Sequence, residues 1–322
     1  MSRMGEMPVM LRAIVLAGVL SLPAWSGSEA AWEASVPAIT GNLMPAFYNG
    51  YLFSCLPGHV VTLFAPDGHL AFTLPIQGAG NGRVQVESVA VDSNGTLAVA
   101  WIDQPAAGID IRDSSGNLVR SIDTGAYLPM HLSFGDHSLW AFGWERDAKK
   151  DWGFPAKDYQ SVRKYSMDGK ELGAYLPRSL FPSPGLEPGG EMRQERLITV
   201  TGDRVGIEAV SGTVGNQREW VELTFNGDLL GRWKLDPSDE FPGVAFTSDN
   251  HVYVHRFDRN AKSRQVLRLN RETSAWETLS APNLPLYGAD GDKLVFADWS
   301  GVVMHLSWYQ QPQVSFPVKA SR

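Results

Sequence analysis

Three carboxylates and two imidazoles stand near the ends of apolar segments: Glu87, Asp103 and Asp298, with His131 and His255. Converging carboxylate oxygens can hold a hard cation such as calcium. A carboxylate beside an imidazole can move protons. Glu208 and Arg256 belong to the same polar set. The chain has no Gly-x-Ser-x-Gly elbow and no phosphate-binding glycine loop opening a helix. No catalytic residue is therefore assigned, and no cofactor is implied. A second group mixes aromatic with charged residues between Gly143 and Ser161. Trp144, Trp152, Phe154 and Tyr159 alternate there with Glu145, Arg146, Asp147, Lys149, Lys150 and Asp151. Such a mixture suits recognition of a sugar, a peptide or a protein surface. The leading reading is a binding site formed by Trp144, Glu145, Arg146 and Trp152, joined by His131, Arg256 and Trp299. The alternative is a metal set of Glu87, Asp103 and Asp298.

The elements that must position these residues are short strands in a repeated unit. From Val89 to Ile122 the pattern reads as four strands: Val89–Val91, Leu97–Ala100, Ile109–Arg112 and Leu118–Ile122. Tight turns at Asp92–Gly95 and Asp113–Asn117 separate the first pair and the last pair. Second strands of the same kind begin at Leu52, Leu97, Leu139, Val205, Val252 and Leu294, in steps of 45, 42, 66, 47 and 42 residues. Upstream of each, a small residue sits between larger ones: Ala46, Ala90, Ser133, Thr199, Ala245 and Gly288. Alternate residues of a strand face opposite sides. The small side chain is expected to point to a crowded axis, and its neighbours to pack between units. Outer turns at Pro66–Gly68, Ser115–Asn117, Asp168–Lys170 and Asn226–Asp228 place glycine where a hairpin needs positive φ. A four-stranded unit of this period predicts an all-β chain, a six-bladed β-propeller with four antiparallel strands per blade. The blades are expected at about 42–76, 84–123, 128–176, 196–235, 241–279 and 284–318. Val314–Val318 is the candidate for the last outer strand, and residues 32–38 are the alternative way of closing the ring.

In such a ring the loops between second and third strands share one face with the connections between blades. The 143–161 insertion, the Pro/Gly-rich link from Pro177 to Glu195 and the Ser211–Arg218 loop would cluster there, near blades three and four. Gly78-Ala79-Gly80-Asn81-Gly82 reads as a mobile connection between blades.

The segment from Val89 to Ala100, VAVDSNGTLAVA, resembles the motif of NHL-type six-bladed propellers. Val244–Val254 and Lys293–Asp298 are similar to it, so the chain resembles the NHL-repeat and TolB-like propeller group. NHL second strands usually end in Asp. Asp298 holds that position in blade six, Trp101 in blade two and Arg256 in blade five. Related six-bladed propellers include calcium-dependent, lactonase-like hydrolases, whose metal is held at several inner-strand ends. The resemblance puts Glu87, Met130, Arg196 and Pro242 at those positions.

Residues 1–31 read as a secretory signal, with Arg3 and Arg12 flanking an apolar core at Ala13–Leu22 and a small-x-small site at Ser28–Ala30. That core is too short to span a membrane. The expected location is the periplasm or the exterior, with no membrane span once the leader is removed. Cys55 stands alone and implies a buried small hydrophobe rather than a disulfide. A formal charge of −7 without a basic run argues against nucleic acid as a partner. The expected partner is a protein or a small-molecule ligand.

Overall fold

The stretch Leu97-Ala98-Val99-Ala100-Trp101 has no polar face, and every one of its residues is buried. A strand buried on both sides must lie inside a sheet that is itself covered on both sides. A computed structural model shows this arrangement. It describes residues 32–37, 42–44, 52–56, 60–64, 70–80, 82, 84–147, 149–150, 156–181, 195–211, 217–235, 240–258, 262–279, 281–300 and 303–310. The described strands form six four-stranded sheets, and the chain is an all-β propeller.

The first sheet holds β2 (Asn42–Met44), β3 (Leu52–Leu56), β4 (Val60–Phe64) and β5 (Leu70–Pro75). In the second are β6 (Gln85–Val91), β7 (Leu97–Asp103), β8 (Ala106–Arg112) and β9 (Leu118–Asp123). The third has β10 (Tyr127–Gly135), β11 (Ser138–Glu145), β12 (Gln160–Ser166) and β13 (Glu171–Pro177). The fourth has β14 (Glu195–Thr201), β15 (Arg204–Ser211), β16 (Gln217–Thr224) and β17 (Leu229–Lys234). The fifth has β18 (Glu240–Phe246), β19 (Val252–Asp258), β20 (Ser263–Asn270) and β21 (Ala275–Leu279). The sixth joins β22 (Leu286–Asp290), β23 (Lys293–Ser300) and β24 (Val303–Gln310) to β1 (Trp32–Pro37).

That last pairing settles which segment completes the sixth sheet. β1 runs antiparallel to β24, with Trp32 opposite Trp308 and Val36 opposite Met304. The outer position expected for Val314–Val318 is thus filled from the other end of the chain, and 314–318 lie outside the described residues. So do residues 1–31 and the small-residue mark at Ala46.

Neighbouring sheets pack face to face. Val61, Leu63 and Leu74 of the first meet Val89, Val91 and Val99 of the second. Ile109 and Ile111 meet Leu132 and Leu139 of the third. Trp140 and Phe142 meet Ile198 and Val205 of the fourth. Trp220 meets Val244 and Phe246 of the fifth, edge-on to Phe246 at 5.2 Å. Ala245 and Tyr253 meet Leu286 and Phe296 of the sixth, and Phe64 of the first joins Val295, Met304 and Leu306 of the sixth. First strands touch one another, β6 with β10, β10 with β14 and β18 with β22. Fourth strands such as β9 are largely exposed. The first strands therefore run inside and the fourth at the rim.

This packing corrects one expectation about the small residues. Ala90 and Ala245 do not point to the axis. Ala90 packs toward the third sheet and Ala245 toward the sixth, while Val89, Val91, Val244 and Phe246 face the preceding sheet. Ser133 likewise faces the next sheet, where its Oγ accepts the Val200 N–H at 3.0 Å. Both faces of an inner strand are sheet interfaces, and inner strands converge, so one face must carry small side chains.

The outer turns show why glycine is needed there. Gly227 has φ +87°, and a Cβ on it would lie 1.9 Å from the Tyr175 ring of the preceding sheet. Gly116 and Gly169 repeat this against Leu74 and Ile122. Each outer turn thus seats on the outer strand before it. Gly227→Ala is expected to lower unfolding free energy by about 1–2 kcal/mol in urea denaturation. An unchanged midpoint would show that Tyr175 moves aside at no cost.

Candidate functional site

Register slips at both ends of the sheets: beside the outer turns, third and fourth strands slip at Leu63/Phe64, Ile111/Arg112, Lys164/Tyr165 and Glu222/Leu223, and at the other end first and second strands do. β6 slips register between Val86 and Ser88, and β10 between Pro129 and His131. β14 does so between Glu195 and Leu197, β18 between Glu240 and Gly243, and β22 between Leu286 and Gly288. The unpaired residues are Glu87, Met130, Arg196, Phe241 with Pro242, and Tyr287. A bulge inserts a residue that the ladder cannot use and re-aims its side chain. Here it recurs at the same level of five consecutive inner strands. Four of these positions are the inner-strand ends named from sequence.

Glu87 is half-buried and makes no hydrogen bond among the described residues. Burial pushes its carboxyl up to about 7. Tyr287 is also half-buried, and burial pushes its phenol up to about 12. His131 lies beside the Met130 bulge and Arg256 opposite the Phe241–Pro242 bulge, both half-buried. His255 is 1% exposed, and neither ring nitrogen has a partner. Burial, with the positive charge of Arg264, pushes its imidazole down to about 4. It is neutral at ordinary pH, and among the described residues no carboxylate hydrogen-bonds it.

The aromatic-charged segment divides into anchor and surface. Trp144 is 2% exposed and packs with Ala107, Leu128 and Tyr159, so it holds the loop's base and offers no surface to a ligand. Its position near the end of a second strand turns it into a sheet interface, which corrects its expected role. Glu145 is paired with Arg163 at 2.8 Å, and Arg163 also meets Glu171 at 2.7 Å. The Arg146 N–H donates to the Ala126 carbonyl, which pins the loop's start. Trp152 and Phe154 lie outside the described residues, as do the side chains of Trp299 and Arg196.

The carboxylates read as a metal set are not assembled. Asp103 is buried, and its Oδ2 accepts the N–H groups of Gly80 at 2.8 Å and Gly82 at 3.2 Å. Asp298 is exposed. Among the described residues no three His, Cys, Asp or Glu side chains form a metal-binding group. His251 and His255 are four apart, a ligand spacing on a helix, but along an extended strand four residues span roughly 13 Å. The Gly78–Gly82 connection is not the mobile link expected of it. A Cβ on Gly80 would lie 1.8 Å from the Asp103 carbonyl oxygen, so glycine is needed for the loop to close against β7.

One polar cluster escaped the sequence reading. Asp110 in β8 accepts from Trp101 Nε1 at 3.1 Å, Ser121 Oγ at 2.9 Å and Arg112 Nη2 at 2.8 Å. The available signal was the alternation Ile109-Asp110-Ile111-Arg112, polar residues at every second place of an otherwise buried strand.

Fold and geometry define a β-propeller with bulged inner strands. No protein-family model matches the chain, and no curated protein matches it. Solved structures are similar at low identity. A protein of unknown function from Bacteroides caccae is 14% identical, with a TM-score of 0.50, over 83% of this chain and 95% of its own. BBS1N, in a complex with ARL6DN soaked with mercury, is 12% identical with a TM-score of 0.45, over 82% of this chain and 75% of its own. YCF48 bound to D1 peptide is 11% identical with a TM-score of 0.44, over 92% of this chain and 100% of its own. At such identities the likeness concerns the fold alone. Among the described residues no helix is long and apolar enough to cross a membrane.

Proposed function

We propose that this chain is an exported, non-catalytic β-propeller that binds a protein or a small ligand on its bulged, loop-rich face, near the third and fourth sheets. The recurrence of a bulge at one level of five inner strands carries this reading. Bulges beside loops are how rigid sheets present side chains to a ligand. In this reading the six sheets are six blades of one closed ring, divergent from the NHL-like pattern. Six successive interfaces and the pairing of β1 with β24 support it. Export rests on the apolar leader behind Arg3 and Arg12.

The ties of Asp103 to the Gly80 and Gly82 N–H groups favour binding over a metal-assisted hydrolysis that would need Asp103 as a ligand. The test is deletion of Asp147–Ala156, which spares the buried anchors Trp144 and Tyr159. The folded deletion variant is expected to lose at least tenfold in capture of the partner that wild type retains from an envelope extract. Undiminished capture by a variant with wild-type melting would reject the loop-rich face.

A further inference from the structure

Among the described residues, every carboxylate that is buried or half-buried has a partner, with one exception. Asp103 takes two loop N–H groups. Asp110 and Glu222 each take an indole N–H and at least one arginine. Glu208 and Glu219 each face an arginine. The exception is Glu87, the residue that the β6 bulge leaves out of the ladder. Its oxygens can accept hydrogen bonds, and no described group donates to them. Part of its surface remains open, so a donor from outside can reach it.

The neighbouring strand fixes what lies beside this carboxyl. Ser88, next in β6, accepts the Leu132 N–H through its Oγ at 2.9 Å. That bond sets the β6 bulge level with the Met130 bulge of β10. Met130 is half-buried and packs against the cluster of Leu128, Trp144 and Tyr159, so its thioether is held on the base of the 143–161 insertion. Tyr287 brings an aromatic ring at the corresponding bulge of β22.

This set discriminates between ligands. A hard divalent cation takes roughly six to eight oxygen ligands, and among the described residues no metal-binding group forms. An anion is repelled by an ionised carboxylate, and a neutral donor leaves the charge uncompensated in a partly dry place. An organic cation needs little more than is present. Its N–H groups bond to one carboxylate, and its carbon stem lies on apolar or aromatic surface. The formal charge of −7 favours the approach of a cation.

We propose that the bulged face takes an organic cation, an alkyl ammonium whose N–H groups donate to Glu87 and whose carbon stem lies along Met130. This rests on the reading of that face as a binding surface and names the chemistry of its ligand. A free amine and a lysine of a partner protein share that chemistry.

The test uses the full chain at pH 8, with the Glu87 carboxyl and Met130 methyl followed by NMR. The probes are n-butylammonium and the capped peptide Ac-Gly-Lys-Gly-NH2. Saturable shifts are expected at both residues, with n-butanol and Ac-Gly-Leu-Gly-NH2 at least tenfold weaker. Tighter binding of the lysine peptide assigns the cation to a protein partner, and tighter binding of n-butylammonium assigns it to a free amine. Glu87→Gln should stay folded and lose at least tenfold in affinity for either probe. No saturable shift, equal binding by Glu87→Gln, or equal binding of the neutral analogues would overturn the proposal. Calcium that binds Glu87 and is not displaced by n-butylammonium would overturn it too. The Asp147–Ala156 deletion keeps Glu87 and Met130, so it should still bind n-butylammonium. Loss of partner capture in that variant therefore reports on the loop-rich face, and loss of amine binding in Glu87→Gln reports on the ligand class.

Discussion

Glu222→Ala is expected to cost about 3–5 kcal/mol of unfolding free energy, among the largest losses of any single substitution in this chain. Glu222 is completely buried. It accepts from Trp220 Nε1 at 2.8 Å, Arg204 Nη1 at 2.9 Å and Arg271 Nε at 2.9 Å. Arg271 belongs to the turn after β20, so one carboxylate ties the fourth sheet to the fifth. Removing it leaves two guanidinium groups and an indole N–H facing a void. Arg204 and Arg271 keep 22% and 25% side-chain exposure, and water can reach them, which favours the lower half of that range. Glu222→Gln retains an acceptor and should lose less. Urea denaturation reads both, and a loss below about 1 kcal/mol for the alanine variant would show that the arginines find other partners.

The second large effect is a pair of opposed pH dependences. Glu87 holds its proton more tightly when folded, since burial moves it from 4.5 to about 7. Its contribution is full below pH 4.5 and is lost as pH rises through 7. His255 moves the other way, from 6.5 to about 4. Its contribution is full above pH 6.5 and is lost as pH falls through 4. Each is worth about 3 kcal/mol, from a displacement of some 2.5 pH units at about 1.4 kcal/mol per unit. Between pH 4.5 and 6.5 the two slopes offset each other, so wild-type stability should show little net slope from these groups. Glu87→Gln should gain stability with rising pH across that window and exceed wild type by about 3 kcal/mol at pH 8. His255→Leu should show only the fall due to Glu87. Superimposable pH profiles for wild type and Glu87→Gln would mean that Glu87 is solvated.

What could be read in advance follows from what is local. Turn glycines at 116, 169 and 227 are forced by φ and by close approach, so they mark their hairpins in the sequence. The apolar run Leu97–Trp101 is forced by burial on two faces. Sheet-to-sheet geometry is not local, and there the reading failed. Ala90 is small because a neighbouring strand approaches it, not because an axis does. Trp144 looks like a binding aromatic because nothing in its own segment shows that Tyr159 and Leu128 cover it. The identity of the strand beside β24 depends on residues more than 260 positions away, as the pairing of Trp32 with Trp308 shows. The Glu87 and Met130 positions were legible as inner-strand ends, but their bulges appear only when each strand is set against its partner. Asp110 and Arg112 went unnoticed because each looks like a solvent-facing residue until the neighbouring sheet is placed over it.

The binding account is tested most directly by site-specific photocrosslinking. A benzoylphenylalanine at position 130 sits at a bulge, and one at position 230 sits on the rim strand β17. The account predicts that the partner retained by wild type crosslinks from position 130 and not from 230, and that the Asp147–Ala156 deletion abolishes the product. Crosslinking from 230 alone would contradict it.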